Sequence, residues 1–408
     1  MRWAWAMVAM MLVGCGPAWW GRAPVEPRDA SPGPAGFVVE QLAAGSFHTC
    51  ARLRGGQVRC WGMGVSGQLG DGAAARSERP VVALGINDAV QIVAEGERTC
   101  AVLGDGSVWC WGRATPEELA EGAPAIRTRP QPVAEWRDVR QLALGLDHDC
   151  AVVGGGGVVC RGEGWRGAPA GVFAGRVFAS GSGAVPRLGS VVEVAVGYAF
   201  SCARTTAGEV LCWGWNEYGQ CGDASGREHL TPVKVEGIAG AQALTAGFDH
   251  ACALLSDGTA VCWGGDTFGQ RGDGGTATAG PPARVVGLGE AQRVAAGQYR
   301  TTAMLADGTA RGWGRELGEE RTLWPECGEP REYVVEAETP SPRGAPPEPY
   351  CAAPAMLPLA EASEVVVGQL HACARTDEGQ VLCWGSNAYG GVGDGGFDDR
   401  PRPTPVAW

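Results

Sequence analysis

One unit recurs seven times along this chain. It reads Ala44-Gly45-Ser46-Phe47-His48-Thr49-Cys50-Ala51, then Gly56, Cys60-Trp61-Gly62 and Gly67-Gln68-Leu69-Gly70-Asp71-Gly72. The counterparts of Cys50 are Cys100, Cys150, Cys202, Cys252, Thr302 and Cys373, at intervals of 50, 50, 52, 50, 50 and 71 residues. A fixed period of this length marks an array of stacked supersecondary units. Gly stands six positions after each start, at 56, 106, 156, 208, 258, 308 and 379. Runs such as Val108-Trp109-Cys110-Trp111 carry the β-branched and aromatic residues of strands. An Asp-Gly tip, as at Asp257-Gly258, fits a three-residue hairpin loop with Gly at positive φ. Each unit therefore holds at least one β-hairpin, and about fifty residues suffice for a four-stranded blade. Residues 374–408 and 36–50 together supply one further 50-residue interval. Pro403-Thr404-Pro405-Val406 resembles Thr231-Pro232-Val233, and Phe37-Val38-Val39 matches the strand that follows it. The ring is accordingly expected to close, with the two termini building one blade jointly.

Composition narrows the class. The chain has 66 Gly and 27 Pro, and few stretches run ten residues without either, which excludes long helices. A hydrophobic share of 45% with 16 Trp, against 8 Phe and 6 Tyr, argues for a packed core between tight turns. The expectation is an all-β protein. A net charge of −12 and a pI near 5.0 argue against binding to a phosphate backbone, so no nucleic-acid partner is expected.

The recurring Ala-Gly-x-x-His-[Thr/Ala]-Cys-Ala, Cys-Trp-Gly and Gly-Gln-x-Gly-Asp resemble the regulator of chromosome condensation repeat family over about residues 36–408. The likeness is greatest to its extracytoplasmic bacterial branch, in which Cys occupies paired strand positions. The resemblance implies a seven-bladed β-propeller, here closed by strands from both termini. The family's eukaryotic namesake exchanges nucleotide on a small GTPase and docks on chromatin, and neither task suits an acidic extracytoplasmic chain. Bacterial propellers of similar sequence include secreted β-lactamase inhibitors that bind a partner across one face.

The N-terminus has a reading of its own. Arg2 precedes the apolar run from Trp3 to Val13, which suits a signal peptide and is too short to span a bilayer. Leu12-Val13-Gly14-Cys15 resembles the bacterial lipobox, which implies a signal peptide at 1–14 and lipidation of Cys15. Residues 15–35, rich in Pro and Gly, then read as a tether to the propeller at 36–408. The mature chain is expected to be a monomer held to a bacterial envelope membrane by its N-terminal lipid, outside the cytoplasm.

Six Cys pairs share one spacing: Cys50/Cys60, Cys100/Cys110, Cys150/Cys160, Cys202/Cys212, Cys252/Cys262 and Cys373/Cys383. With a turn centred five residues in, each pair faces across a hairpin, and an oxidising envelope would make them disulfides. The sixth unit has Thr302 and Gly312 at these positions, a joint absence that a paired role predicts. Zinc is the competing reading, because His48, His148, His250 and His371 each precede a Cys by two residues. Arg98 and Phe200 at the same position cannot ligate zinc, so these His are expected to bond neighbouring backbone, with no metal or cofactor bound. Cys327 and Cys351 are expected to pair with each other. Cys221 replaces Leu69 of the repeat, as a buried thiol or, alternatively, a reactive one.

The repeated Asp71, Asp223, Asp273 and Asp394 are expected in turns rather than calcium loops, and the six repeat Trp in the core. No nucleophile elbow, zinc-protease or phosphate-loop motif is present, so no catalytic residue is assigned. Departures from the repeat are the better candidates for function. One is an insertion at about 317–352 with Glu319, Glu320 and Tyr350, and the other is the third unit, where Arg161 replaces Trp near Trp165. These five residues are the candidate binding set. The third unit is read as an interface anchor of exposed aromatics next to Arg161 or, equally, as a repacked blade, and the insertion as a recognition element or a bare surface loop. The expected role is a non-catalytic module that binds an extracytoplasmic protein or a cell-wall component. The alternatives are a hydrolase or lyase using the central cleft, or an inhibitor of a secreted enzyme.

Overall fold

The structure is a computed structural model that describes residues 37–120, 122–146, 148–163, 180–223, 225–315, 350–357, 359 and 362–408. Seven antiparallel four-stranded sheets follow one another along the chain, at residues 39–82, 89–132, 139–184, 191–234, 241–284, 291–356 and 362–405. They are called blades 1 to 7. In each, the first strand lies at the axis and the fourth at the rim, and the first strands of neighbouring blades touch all the way round, blade 7 against blade 1. The protein is a closed, all-β, seven-bladed propeller. Among the described residues there is one α-helix, Pro116–Ala120, and no helix long and apolar enough to cross a membrane.

The expected closure by a shared blade is corrected. Blade 1 takes all four of its strands from residues 39–82 and blade 7 from 362–405, with Arg400–Pro405 pairing inside its own blade. The count of one missing interval holds, but the blade begins at the strand before the Cys, so no blade is left incomplete. Closure is made by contacts between complete blades. The Trp61 indole donates to the Gly391 carbonyl at 2.9 Å, Gln369 N donates to Ser46 O at 3.0 Å, and Trp408 packs edge-on against Trp61.

The repeat motifs turn out to be joints between blades. All seven Gly at the hairpin tips have positive φ, from 74° to 82°. A Cβ on Gly56 would also lie 2.6 Å from Asp88 Cα, so the tip must be Gly both to turn and to let blade 2 approach. The Trp of Cys-Trp-Gly is buried in six blades. Its indole donates to the carbonyl of the preceding blade's Gly-Gln motif: Trp111 to Gln68, Trp263 to Gln220 and Trp313 to Gln270, each at 2.8 Å. The motif Asp side chains accept local backbone N–H groups, as Asp71 does from Ala73 and Asp394 from Gly396, which is turn chemistry.

All six expected Cys pairs are disulfides. Cys50–Cys60 lies in blade 1, Cys100–Cys110 in blade 2 and Cys150–Cys160 in blade 3. Cys202–Cys212, Cys252–Cys262 and Cys373–Cys383 follow in blades 4, 5 and 7. Each bridge links directly opposed residues of the second and third strands, with Cα atoms 4.0–4.1 Å apart. In blade 6, Thr302 and Gly312 occupy that same opposed position. Cys327 lies outside the described residues, so its pairing with Cys351 does too. Cys221 is buried in an apolar cluster with Val235 and Trp263, and burial pushes its thiol pKa upward.

The histidines bond differently from expectation. Each Nε2 meets a hydroxyl of the next blade, not backbone: His48 with Thr99, His148 with Ser201 and His371 with Thr49 at 2.7 Å, and His250 with Thr301 at 2.9 Å. At the same position in blade 2, Arg98 holds Asp149 of blade 3 through two hydrogen bonds, one of 2.8 Å. In blade 4 the pair is Phe200 with Ala251, in one apolar cluster. In six blades the residue two before the Cys is thus matched to the residue one before the next Cys, polar with polar and apolar with apolar. In blade 6, where Ala372 holds the matching position, Arg300 donates to the Gln369 carbonyl at 3.1 Å instead. Zinc ligation has no geometry here, and among the described residues no three His, Cys, Asp or Glu side chains cluster to hold a metal.

Candidate binding site

The axis is not filled. The turns between the first and second strands of all seven blades surround a cavity of about 410 Å³, continuous in sequence with a deeper one of about 290 Å³ between the first strands. Small residues at the turns keep it open, because Gly recurs there in six blades for a structural reason. A Cβ on Gly45, Gly247 or Gly368 would overlap the imidazole of its own blade's His48, His250 or His371. Deeper in, side-chain amides tie neighbouring inner strands. Gln41 exchanges two 2.9 Å hydrogen bonds with the backbone of Ile92, and Gln91 and Gln141 do the same for Leu142 and Val194.

Two features of the mouth are not demanded by the repeat. The first is Glu95, which is half-buried and is the only Asp, Glu, Lys, Arg or His among the described residues lining the 410 Å³ cavity. Burial pushes its carboxyl up to about 7, against the hydrogen bond from the Gly96 N–H and the charge of Arg98. Arg98 is already committed to Asp149.

The second is a belt of six half-buried aromatic rings that crosses blades 4, 5 and 6 on this same face. Tyr198 and Phe248, which line the cavity, stack with centroids 4.5 Å apart and planes 5° apart. Trp215 stands edge-on to Tyr198 and Tyr218, and Tyr299 links Phe248 to Phe268. Arg315 lies over Phe268 and Tyr299, 5.6 and 6.0 Å from their centroids. Opposite, Phe47 and the exposed Tyr389 meet at 5.1 Å between blades 1 and 7. Half-buried Tyr and Trp rings of this kind offer large, rigid contact area at low entropic cost.

Of the residues singled out from the sequence, Trp165, Glu319 and Glu320 lie outside the described residues, as do Cys15, the signal peptide and the tether. Tyr350 starts the rim strand of blade 6 and opposes Arg315, so the insertion leaves and re-enters the fold beside the belt. Arg161 is buried, not an exposed anchor. It bonds Glu135 at 3.1 Å and lies 3.8 Å from Glu118, which also bonds Arg127 at 3.1 Å. Glu118 is set by a capping box: its carboxylate accepts Thr115 N at 2.9 Å and its N–H donates to Thr115 Oγ1 at 3.2 Å. Blade 3 thus buries a charge network where other blades bury Trp. The belt and Glu95 are not among the residues singled out from the sequence. Reading the variable positions after Ala-Gly and after Cys-Trp-Gly in register would have exposed the belt, because aromatics fall there in three successive units.

A family model for the regulator of chromosome condensation (RCC1) repeat matches residues 39–68, 191–220, 242–270 and 362–390, and a second matches 207–254. The chain carries RCC1 repeats. Among solved structures it is similar to Prp20p from Saccharomyces cerevisiae, with 22% identity and a TM-score of 0.65 over 91% of this chain and 88% of that one. It is also similar to human WBSCR16, with 21% identity and a TM-score of 0.69 over 86% and 94%. The Prp20p structure was described with its binding to Gsp1p and histones. At these identities the likeness establishes a shared propeller fold, and the belt and Glu95 are read from this RCC1-repeat chain itself.

Proposed function

We propose that this RCC1-repeat propeller is a lipid-anchored, extracytoplasmic binding module that holds a protein or cell-wall partner against its axial mouth without catalysis. The observation that carries this is the aromatic belt: six rings that the repeat does not require, in mutual contact on one face across three blades beside an open cavity. The six disulfides agree with an oxidising compartment, and Cys15 would supply the anchor. The insertion rooted at Arg315 and Tyr350 would extend the same face.

The test is affinity capture from cell-envelope extract with residues 36–408 made in an oxidising compartment. Trp215→Ala/Tyr218→Ala and a deletion of 319–350 serve as comparators. One partner retained by the parent and lost with the aromatic pair, at unchanged melting temperature, supports the reading. Equal retention by both variants overturns this face as the binding surface. The other reading, acid–base chemistry in the cleft, is favoured by Glu95 alone and predicts turnover with a bell-shaped pH profile that Glu95→Gln abolishes.

A further inference from the structure

We infer that the axial cavity is a socket for a cationic side chain, the Arg or Lys end of a protein partner seated on the aromatic belt. This rests on the binding reading and names the chemistry at its centre. Three observations converge. The cavity is walled mainly by Ala, Gly and Val, which supply apolar surface along its depth. Its lone ionisable carboxyl group among the described lining residues, Glu95, comes from blade 2, while the stacked Tyr198 and Phe248 come from blades 4 and 5 on the far side of the ring. No basic side chain among the described lining residues competes for that carboxylate, and the nearby Arg98 is taken by Asp149.

A long cationic side chain satisfies all three features at once. Its methylene stem packs on the apolar and aromatic wall, and its charged head reaches the Glu95 carboxylate across the mouth. A neutral side chain of the same length would leave the carboxylate half-buried and unpaired, and an anionic one would be repelled by it. The overall charge of −12 adds attraction at longer range. The groups that face Glu95 are Arg98 on the adjoining strand and Asp149 of blade 3. Each is fixed in the other's ion pair, so the charge of Glu95 itself governs the socket.

The experiment is calorimetric titration of residues 36–408 with acetyl-Gly-Gly-Arg-Gly-Gly-amide. Its citrulline counterpart, equal in shape and without charge, and free ethylguanidinium are the comparison probes. The peptide should bind at pH 8 and at least tenfold more tightly than the citrulline form. Affinity should fall as pH drops from 8 to 6, where Glu95 takes up a proton. Glu95→Gln should reduce the difference between the two peptides to under threefold, and Phe248→Leu should weaken the charged peptide severalfold without altering its pH profile. Binding of ethylguanidinium alone, with no gain from the peptide, would assign the socket to small amines and overturn a protein partner. Equal affinity for the two peptides, or an unchanged preference in Glu95→Gln, overturns the socket altogether. Capture of the envelope partner by Glu95→Gln separates the two ideas. If capture survives there and is lost with Trp215→Ala/Tyr218→Ala, the socket fails while the binding face stands.

Discussion

Asp266 shows how one atom departs from a repeated solution. At its position in blades 4 and 7, Asn216 and Asn387 each accept a backbone N–H with Oδ1 and donate with Nδ2, Asn216 to Asp223 at 2.6 Å. Asp266 accepts Arg271 N at 2.9 Å, but its buried Oδ2 has no hydrogen-bond partner among the described residues. Burial raises its pKa to about 7, against the Arg271 N–H and guanidinium. A raised folded pKa gives stability that is present below the ordinary carboxylate value and is lost as pH rises toward 7. Asp266→Asn should therefore stabilise the protein at pH 8 by about 1–3 kcal/mol and change little at pH 4, read by urea unfolding. Equal effects at both pH values would refute this account. At this scale the sequence was partly legible. The Gly at each hairpin tip and the buried Trp followed from local chemistry. Arg161 did not, because its burial depends on Glu118 of blade 2 and Glu135 of the connection between blades 2 and 3.

The element that matters most is the joint between blades. His48, His148 and His371 are held below their ordinary pKa, near 3, 4 and 4, mainly by burial. Depressed folded values mean that this stability is present above about pH 6.5 and is lost as pH falls toward 3–4. Thr99→Ala, which strips His48 of its hydroxyl, should cost about 1–3 kcal/mol. His48→Phe/Thr99→Ala, which copies the Phe200–Ala251 joint, should recover most of that loss and flatten the acid transition. A double-mutant cycle with no coupling would contradict the matching of neighbouring blades. The vacant disulfide position offers a second check. Thr302→Cys/Gly312→Cys should form a further bridge, detected as a mass loss of two hydrogens, and stabilise by up to about 3 kcal/mol. Hairpins and Cys pairs such as Cys150–Cys160 were legible because they are local at ten residues' separation. The His partners were not, because they lie about fifty residues away in the next unit, and the phase of the blade is hidden for the same reason.

Across the whole molecule, the ring closes by variants of one joint between neighbouring blades, and the same small-residue turns that make the joint leave the axis open. Structure demands the Gly, Trp and paired Cys, and it leaves the positions between them free. That freedom is where blades 4 to 6 carry aromatics and blade 2 carries Glu95. The asymmetry of an otherwise sevenfold face marks the site. Seven units and their closure into a ring were legible from periodicity, and the propeller from the resemblance that the repeat motifs carry, whereas the belt required knowing which turns share a face. Hydrogen–deuterium exchange on the captured partner complex tests the central claim most directly. The account predicts protection of the mouth turns at 197–199, 247–249 and 297–299, with the hairpin tips of the opposite face at 206–208, 256–258 and 306–308 unchanged. Protection confined to those opposite tips would contradict it.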